Sequence, residues 1–213
     1  MKVSRRIKAL GDLLQAQKYT KVLDTCCDHG LIGLNLLDNS LCSFDELILI
    51  DIVPSIIQKL ELAIADIPRG DRLISTQIQC VKKIKCSSQD LVIMAGVGAD
   101  LVYEAILSHK KNEQIPRHYL ISAHTKHVWL REKLKEEGLL LVKEELILED
   151  NIFYDHILLS FSEGNELKAF NQTGSKEALK SYYQEMQKLF EIKAKYGEEW
   201  FAQKLKELNS IYH

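Results

Sequence analysis

The chain has 213 residues, 46% hydrophobic and 27% charged, which fits one globular domain with a small appendage. Its formal net charge of −2 excludes a global field for nucleic acid, so binding of RNA would require a local cationic surface. No apolar signal-peptide segment and no membrane-spanning apolar run is found in the sequence. Five cysteines without zinc-type C-x-x-C pairs predict free thiols, no metal site and a cytoplasmic protein.

Apolar periodicity predicts helices and strands that alternate along most of the chain. The predicted helices cover residues 3–17, 30–37, 55–65, 99–109 and 126–137. The predicted strands cover 21–25, 46–51, 74–79, 90–95 and 117–122, followed by a hairpin of 139–148 and 152–161. This order indicates an α/β, Rossmann-like sheet that is mostly parallel and ends in an antiparallel hairpin.

The last part of the chain differs in composition from the rest. After a predicted domain over 1–161, the polar and glycine-bearing stretch 162–174 is interpreted as a linker. From Ser175 onwards, apolar residues recur at three- and four-residue spacing, which predicts an amphipathic helical region over 175–213. Gly197 is predicted to divide this region into two helices.

The most informative segment is Val22-Leu23-Asp24-Thr25-Cys26-Cys27-Asp28-His29-Gly30, a buried-type strand followed by a polar turn and an apolar helix start. Ligands of doubly wound sheets bind outside the carboxyl ends of the strands, at the topological switch point. Two carboxylates and an imidazole there favour a ligand that carries hydrogen-bond donors and positive charge. The G-x-G-x-x-G of a pyrophosphate-binding loop is missing, which argues against a nicotinamide cofactor.

Five segments follow one another in the order of a known set of motifs. They are V-S-R-R-I at 3–7, D-T-C-C-D-H-G-L-I-G at 24–33, A-G-V-G-A at 95–99, L-R at 130–131 and E-L-I-L-E-D-N-I-F-Y at 145–154. Together they resemble the L-S-x-R-L, D-I-G-S-D-H-A-Y-L-P, A-G-M-G-G, L-R and E-x-I-L-E-D-G-x-x-Y motifs of the bacterial tRNA (adenine-22-N1)-methyltransferase family. The resemblance implies a class I enzyme that uses S-adenosylmethionine to methylate N1 of an adenine in tRNA, and a C-terminal helical domain.

The chain departs from this family at three places. Cys26 and Cys27 stand where the D-I-G-S-D-H-A-Y-L-P motif has glycine and serine. Residues 80–83, C-V-K-K, replace a G-D/N-G-L turn that would face the adenine ring, and residues 122–124, S-A-H, replace Q-P-N. The chain is therefore identified as a divergent member of the family.

The resemblance assigns cofactor contacts to residues at predicted strand ends. Either Asp24 or Asp28 could accept a hydrogen bond from the α-amino group of S-adenosylmethionine. Asp51, at the end of the second strand, could bind the ribose hydroxyls; the alternative is a surface aspartate at a strand end. Cys26 is interpreted as a small filler in a glycine position, because adjacent cysteines rarely form a relaxed disulfide and no His/Cys set completes a metal site.

The A-G-V-G segment follows the fourth predicted strand, where class I enzymes place residues around the transferred methyl group. Ala95 and Gly96 are predicted to contact the cofactor. Val97 and Gly98 are predicted to let a flat substrate base approach. The alternative is an ordinary glycine turn before a helix.

Asp28 and His29 are the predicted catalytic groups, with Asp100 and His124 as further candidates to orient the base. Adenine N1 carries no proton that must be removed before attack, so alignment of nucleophile, methyl group and sulfur could supply much of the rate. The alternatives are that Asp28 caps the following helix and that His29 is a capping or packing histidine.

A cationic cluster near the amino terminus is predicted to bind RNA. Arg5, Arg6 and Lys8 carry positive charge with no acid among them, and phosphate contacts give affinity without sequence information. Further lysines and arginines lie at 82–85 and 126–135, and the second of these stretches is explained equally well by a solvated helix face.

Three functions remain open at this point. The preferred one is a methyltransferase that acts on tRNA, the second is a methyltransferase for another substrate, and the third is a non-catalytic protein that binds RNA or a partner. A thermal shift with S-adenosylhomocysteine separates the third from the others, because a ligand that binds only the folded state raises the unfolding midpoint. The oligomeric state stays open.

Overall fold

The computed structural model describes residues 4–37, 41–65, 67–68, 70–195 and 198–212. The helices are α1 (Arg5–Leu13), α2 (Leu31–Asn35), α3 (Pro54–Ile64), α4 (Ala99–Lys111), α5 (His127–Glu136), α6 (Lys176–Lys195) and α7 (Glu199–Tyr212). The strands are β1 (Gln17–Lys18), β2 (Lys21–Thr25), β3 (Cys42–Ser43), β4 (Glu46–Asp51), β5 (Leu73–Ile78), β6 (Leu91–Val97), β7 (His118–Ala123), β8 (Leu140–Glu149), β9 (Ile152–Ser160) and β10 (Asn165–Glu166). A 3₁₀ turn covers Val81–Lys83.

Eight of these strands form one sheet in the order β10-β8-β9-β7-β6-β2-β4-β5. The strands from β7 to β5 in this order pair in parallel, whereas β9 is antiparallel to both β7 and β8. The predicted Rossmann-like sheet with an antiparallel hairpin at its end is thereby confirmed. Because β2 lies between β4 and β6, the chain reverses its direction of winding at β2, which defines the switch point.

The central strands are apolar because helices cover both faces of the sheet. Residues 47–50 of β4 are at most 5% exposed, and residues 91–94 of β6 are at most 1% exposed. One apolar cluster packs these strands against α4 and α5, and a second packs them against α1 and α3. This packing leaves the carboxyl ends of the strands as the place where polar side chains can gather.

Several element boundaries differ from the predicted ones. Helix α1 begins at Arg5, where Ser4 Oγ accepts a hydrogen bond from the backbone N–H of Ile7. It ends at Leu13 rather than near 17, because β1 and β3 form a short parallel ladder that the sequence pattern did not indicate. Residue 3, where the predicted helix begins, lies outside the described part of the chain. The α2 helix is shorter than predicted, and β6 runs to Val97, two residues further than predicted.

The tail helices, α6 and α7, pack against each other and against the β8–β9 hairpin. Their apolar cluster includes Leu146, Phe170 and Phe190. The stretch 162–174, interpreted as a linker, packs closely: β10 pairs with β8, and Phe170 and Asn171 are fully buried. The domain boundaries stay a prediction, and Gly197, predicted to divide the two helices, lies outside the described residues.

Candidate active site

The carboxyl ends of β2, β6 and β7 border a cleft of about 220 Å³ at the switch point of the sheet. Its walls also include α1, β9 and the first loop, which we define as residues 26–30. The predicted site residues that line the cleft are Arg6, Asp24, Cys26, Asp28, His29, Ala95 and Gly96. The predicted site residues that do not line it are Arg5, Lys8, Asp51, Val97 and Gly98.

Asp24 is the buried carboxylate of the cleft, because it lies one residue before the end of β2 and is 2% exposed. Its Oδ2 accepts a hydrogen bond from the backbone N–H of Gly33 at 2.8 Å. A Cβ at Gly33 would lie 2.9 Å from this oxygen, so only glycine permits the approach. No cation pairs with Asp24 in the part of the chain that the structure describes, and burial therefore raises its pKa to about 7.

The first loop turns sharply in a backbone region that side chains disfavour. Cys26 and Asp28 have φ angles of 54° and 47°, in the left-handed region. The backbone N–H of Cys27 donates to Ile50 O at 3.1 Å, which holds the loop against β4, and that of Gly30 donates to Cys27 O at 2.7 Å, which closes the turn. Burial raises the pKa of Cys26 to about 11, so its side chain presents a neutral thiol to the cleft.

Asp51 is the last residue of β4, and its carboxylate bonds to the first loop and to the segment that follows β4. Its Oδ2 accepts from the backbone N–H of Asp28 at 3.3 Å, and its Oδ1 accepts from that of Val53 at 3.0 Å. Asp51 is 7% exposed, so it is not the surface aspartate of the alternative interpretation. The predicted contact with ribose hydroxyls stays a prediction.

Asp28 and His29 lie at the mouth of the cleft, with side chains 68% and 77% exposed and 3.6 Å between Asp28 Oδ2 and His29 Nε2. The N-cap residue of α2 is Gly30, and the side chain that accepts from the first turn of this helix is Asp24, through the backbone N–H of Gly33. Asp28 therefore does not cap α2, and the alternative interpretation of this residue is wrong. That Asp28 and His29 have catalytic roles stays a prediction.

Gly96 forms a bulge in β6 between Ala95 and Val97, with a φ angle of 77° that favours glycine. A Cβ at this position would lie 3.6 Å from His124 Nε2, so the bulge leaves room in front of that imidazole. Val97 O accepts from the backbone N–H of His124 at 2.9 Å. Gly98 caps α4, and packing does not require glycine there because a Cβ would meet nothing within 4 Å.

Strand β9 contributes two cleft residues, Tyr154 and His156, and the sequence analysis assigned neither to the site. Because side chains alternate along a strand, Tyr154 and His156 share one face and Asp155 lies on the other. The guanidinium carbon of Arg6 lies 5.0 Å from the centroid of the Tyr154 ring. The available signal in the sequence was Tyr154, the last residue of the motif at 145–154, with a histidine two residues after it.

His156 ties three walls of the cleft together. Its Nε2 lies 3.1 Å from Arg6 O on α1, and its Nδ1 lies 2.9 Å from Ser122 Oγ on β7. Burial lowers the pKa of His156 to about 4, so the imidazole is neutral at physiological pH. Arg6, predicted to contact phosphate, thus belongs to the cleft wall, whereas Arg5 and Lys8 are exposed on α1.

One cation of the stretch 126–135 has a structural role instead of a place on an RNA-binding surface. Arg131 is 1% exposed. It donates to both carboxylate oxygens of Asp155 at 2.6 Å and to Glu144 Oε2 at 2.8 Å. The interpretation of Arg131 as a phosphate contact or as part of a solvated face is therefore wrong.

No group of three His, Cys, Asp or Glu side chains suited to a metal ion occurs among the described residues. All five cysteines are free thiols. Within the same ranges, no helix combines the length and the apolar character that crossing a membrane requires.

A family model described as a methyltransferase domain matches residues 3–157. The chain belongs to the methyltransferase domain family. No curated protein matches it by sequence. The match runs into β9, so the methyltransferase domain contains every strand that borders the cleft.

Solved structures share the fold of this methyltransferase over nearly the whole chain. TrmK of M. capricolum, in complex with the cofactor product S-adenosylhomocysteine, has a TM-score of 0.72 and 16% identity, covering 98% of this chain and 97% of that chain. The m1A22 tRNA methyltransferase TrmK of B. subtilis has a TM-score of 0.66 and 18% identity, covering 98% and 95%. A protein of the NADB-Rossmann superfamily from Streptococcus agalactiae has a TM-score of 0.75 and 14% identity, covering 100% and 98%.

Proposed function

We propose that this methyltransferase binds S-adenosylmethionine in the cleft and methylates N1 of an adenine in tRNA. The sequence motifs at 3–154 and the fold shared with TrmK of M. capricolum and B. subtilis both support this assignment. The observation that carries it is Asp24, a buried carboxylate without a cation partner among the described residues. A carboxylate in this state is a typical feature of a ligand-binding site.

The residues around the cleft fit the cofactor at both of its ends. The ammonium group of the methionine moiety would provide the cationic partner that the Asp24 carboxylate lacks among the described residues. At the other end, each carboxylate oxygen of Asp51 accepts one backbone hydrogen bond and keeps capacity for another, which suits ribose hydroxyls. Ile52, which follows directly, is 63% exposed and offers an apolar surface for a purine ring.

When bound, S-adenosylmethionine supplies an electrophilic methyl group on a positively charged sulfur. The protein's own contribution is alignment, because adenine N1 attacks with a lone pair and needs no base. The bulge at Gly96 opens space beside Ala95, and Ser122 and Tyr154 provide polar atoms on the opposite walls. Asp28 and His29, exposed at the mouth, are in a position to orient the incoming nucleotide.

Binding and methyl transfer are tested separately. We expect S-adenosylhomocysteine to raise the unfolding midpoint, because it binds the folded state only. A tRNA transcript incubated with the protein and S-adenosylmethionine should then acquire a methyl group that stops primer extension at one adenine. A raised midpoint without modification of any tRNA would favour another substrate. An unchanged midpoint at millimolar ligand would favour the non-catalytic alternative and contradict the proposal.

The exposed cations of α1 are the proposed contact with RNA phosphates. Arg5 and Lys8 are exposed, so replacing both by alanine should weaken tRNA binding and reduce the salt slope by about 2, since each phosphate contact contributes about 0.9. The control is Lys188→Ala together with Lys193→Ala on the tail helix α6. Filter binding at several salt concentrations measures the slope, and an unchanged slope for the α1 variant would remove these residues from the interface.

A further inference from the structure

The hydrogen bonds of His156 fix the direction in which the Ser122 hydroxyl points. His156 is completely buried and has one polar neighbour at each ring nitrogen, Arg6 O at Nε2 and Ser122 Oγ at Nδ1. A backbone carbonyl can only accept, so Nε2 must carry the hydrogen. The ring is neutral, which leaves Nδ1 without a hydrogen, so Nδ1 accepts and Ser122 Oγ donates.

Ser122 has no second hydrogen to offer, and only the lone pairs of its oxygen remain for the cleft that it lines. Ser122 on β7 pairs with Ala95 on β6, and Ala95 is one residue before the bulge at Gly96. The wall beside the proposed methyl-transfer position thus presents a hydrogen-bond acceptor of fixed orientation.

We propose that Ser122 Oγ accepts a hydrogen bond from an exocyclic amine next to the ring nitrogen that is methylated, and that His156 is the positioning residue that holds Ser122 in this state. This inference rests on the proposed function. Adenine has such an amine beside N1. At the same position, C6, guanine and hypoxanthine have a carbonyl oxygen, whose lone pairs would face those of Ser122, and their N1 carries a hydrogen. The amine of guanine is on C2, on the other side of N1. Ser122 therefore selects adenine by attraction and rejects 6-oxopurines by repulsion.

The kinetic test compares two tRNA transcripts, one with adenosine and one with purine riboside, which lacks the 6-amino group, at the modified position. Loss of the amine also changes the basicity of N1, so the decisive quantity is the change in the adenosine-to-purine ratio of kcat/KM between variants. We expect Ser122→Ala to lower this ratio about tenfold, the effect of one hydrogen bond of about 1.4 kcal/mol. Ser122→Thr keeps the hydroxyl and should keep the ratio. A ratio that is unchanged in Ser122→Ala overturns the inference.

Two further measurements do not depend on methyl transfer. Nitrogen-15 NMR of the imidazole should show the tautomer of His156 with hydrogen on Nε2 in the wild type, and a hydrogen on Nδ1 would overturn the inference. Titration with adenosine and purine riboside should show a binding preference for adenosine that Ser122→Ala loses. If the wild type methylates neither transcript, the proposed function fails, and this titration alone decides: equal binding of both nucleosides overturns the role of Ser122.

Discussion

Asp24 in the cleft and Asp155 beneath the tail helices are two buried aspartates with similar exposure. Their pKa values are shifted in opposite directions. The two residues are 2% and 4% exposed. Asp155 receives two hydrogen bonds from Arg131 and one from Asn171 Nδ2 at 2.8 Å, whereas Asp24 receives one, from a backbone N–H. Burial raises the pKa of Asp24 to about 7; it would also raise that of Asp155, but the charge and hydrogen bonds of Arg131 hold it at about 2.

The difference shows which polar cluster is complete without a ligand. Around Asp155, the second carboxylate, Glu144, accepts from Arg131 and from the backbone N–H of Gln172 at 2.7 Å, so the network joins α5, the hairpin and the segment before α6. Every charge in it has a partner within the fold. Asp24 has no such partner among the described residues, and a cationic ligand would complete its environment.

Removal of the cation from the complete network should have the largest effect. Arg131→Met leaves Asp155 and Glu144 buried without a counter-charge, and we expect the free energy of unfolding to fall by about 3–5 kcal/mol. Denaturant unfolding measures this loss. The control is Lys133→Ala on the same helix, whose exposed pair with Glu136 should contribute little to stability because solvent screens it. Equal midpoints for the two variants would contradict a structural role for Arg131.

The uncompensated carboxylate should make the stability of the ligand-free protein depend on pH. The folded state raises the pKa of Asp24 above its ordinary value of 3.8, so it binds more protons than the unfolded state between about pH 4 and 7. Stability from this group is therefore present below pH 4 and is lost as the pH rises through 7. Asp24→Asn keeps an acceptor for Gly33 and removes the titration.

We expect the wild type to lose about 2–4 kcal/mol relative to Asp24→Asn between pH 4 and 8. Urea unfolding at several pH values gives the difference between the two proteins, in which the titration of all other groups cancels. Asp155 contributes little in this range, because its pKa lies below 4 in both states, about 2 in the folded protein and 3.8 in the unfolded chain. A difference that is constant from pH 4 to 8 would mean that Asp24 is compensated within the chain.

Ligand affinity tests whether the Asp24 carboxylate binds a cationic group of the ligand. If the cationic amino group of the ligand pairs with the Asp24 carboxylate, Asp24→Asn should weaken binding of S-adenosylhomocysteine by about 1–3 kcal/mol, or about 5- to 150-fold. Calorimetry measures the dissociation constant. Asp71→Asn, a change at an exposed aspartate before β5, is the matched control. Equal affinities of the two variants would place the cofactor away from Asp24.

The sequence was sufficient to place two carboxylates of the site in the fold, but not to predict the contacts that they make. Apolar runs fix where β2 and β4 end, so Asp24 and Asp51 could be assigned to the carboxyl edge of the sheet. The hydrogen bond from Asp28 N–H to Asp51 depends on the left-handed backbone of the first loop, which no periodicity encodes.

Contacts between distant elements were also beyond local pattern. Arg131 lies among lysines and glutamates on a helix that reads as solvated, and only the tertiary fold brings Asp155 and Glu144 to it. His156 reaches the cleft because β9 inserts beside β7 in an antiparallel direction. Its partner on α1, Arg6, is 150 residues away in the chain.

The smallest expected effect concerns the backbone of the cleft. Cys26 has a φ angle of 54°, which costs a residue with a Cβ about 1–2 kcal/mol, and glycine gives back about half of this through its larger entropy loss on folding. Cys26→Gly should therefore raise the free energy of unfolding by about 0.5–1 kcal/mol. The same change removes a side chain from the cleft lining, so affinity for S-adenosylhomocysteine should rise as well.

Ala16→Gly separates these two consequences, because Ala16 also has a positive φ, 66°, but is exposed at the turn after α1, away from the cleft lining. We expect both variants to gain similar stability in urea unfolding and only Cys26→Gly to bind the ligand more tightly. Weaker binding by Cys26→Gly would mean that the thiol contacts the ligand favourably. In that case the cysteine contributes to the pocket of this chain beyond filling the position of a glycine.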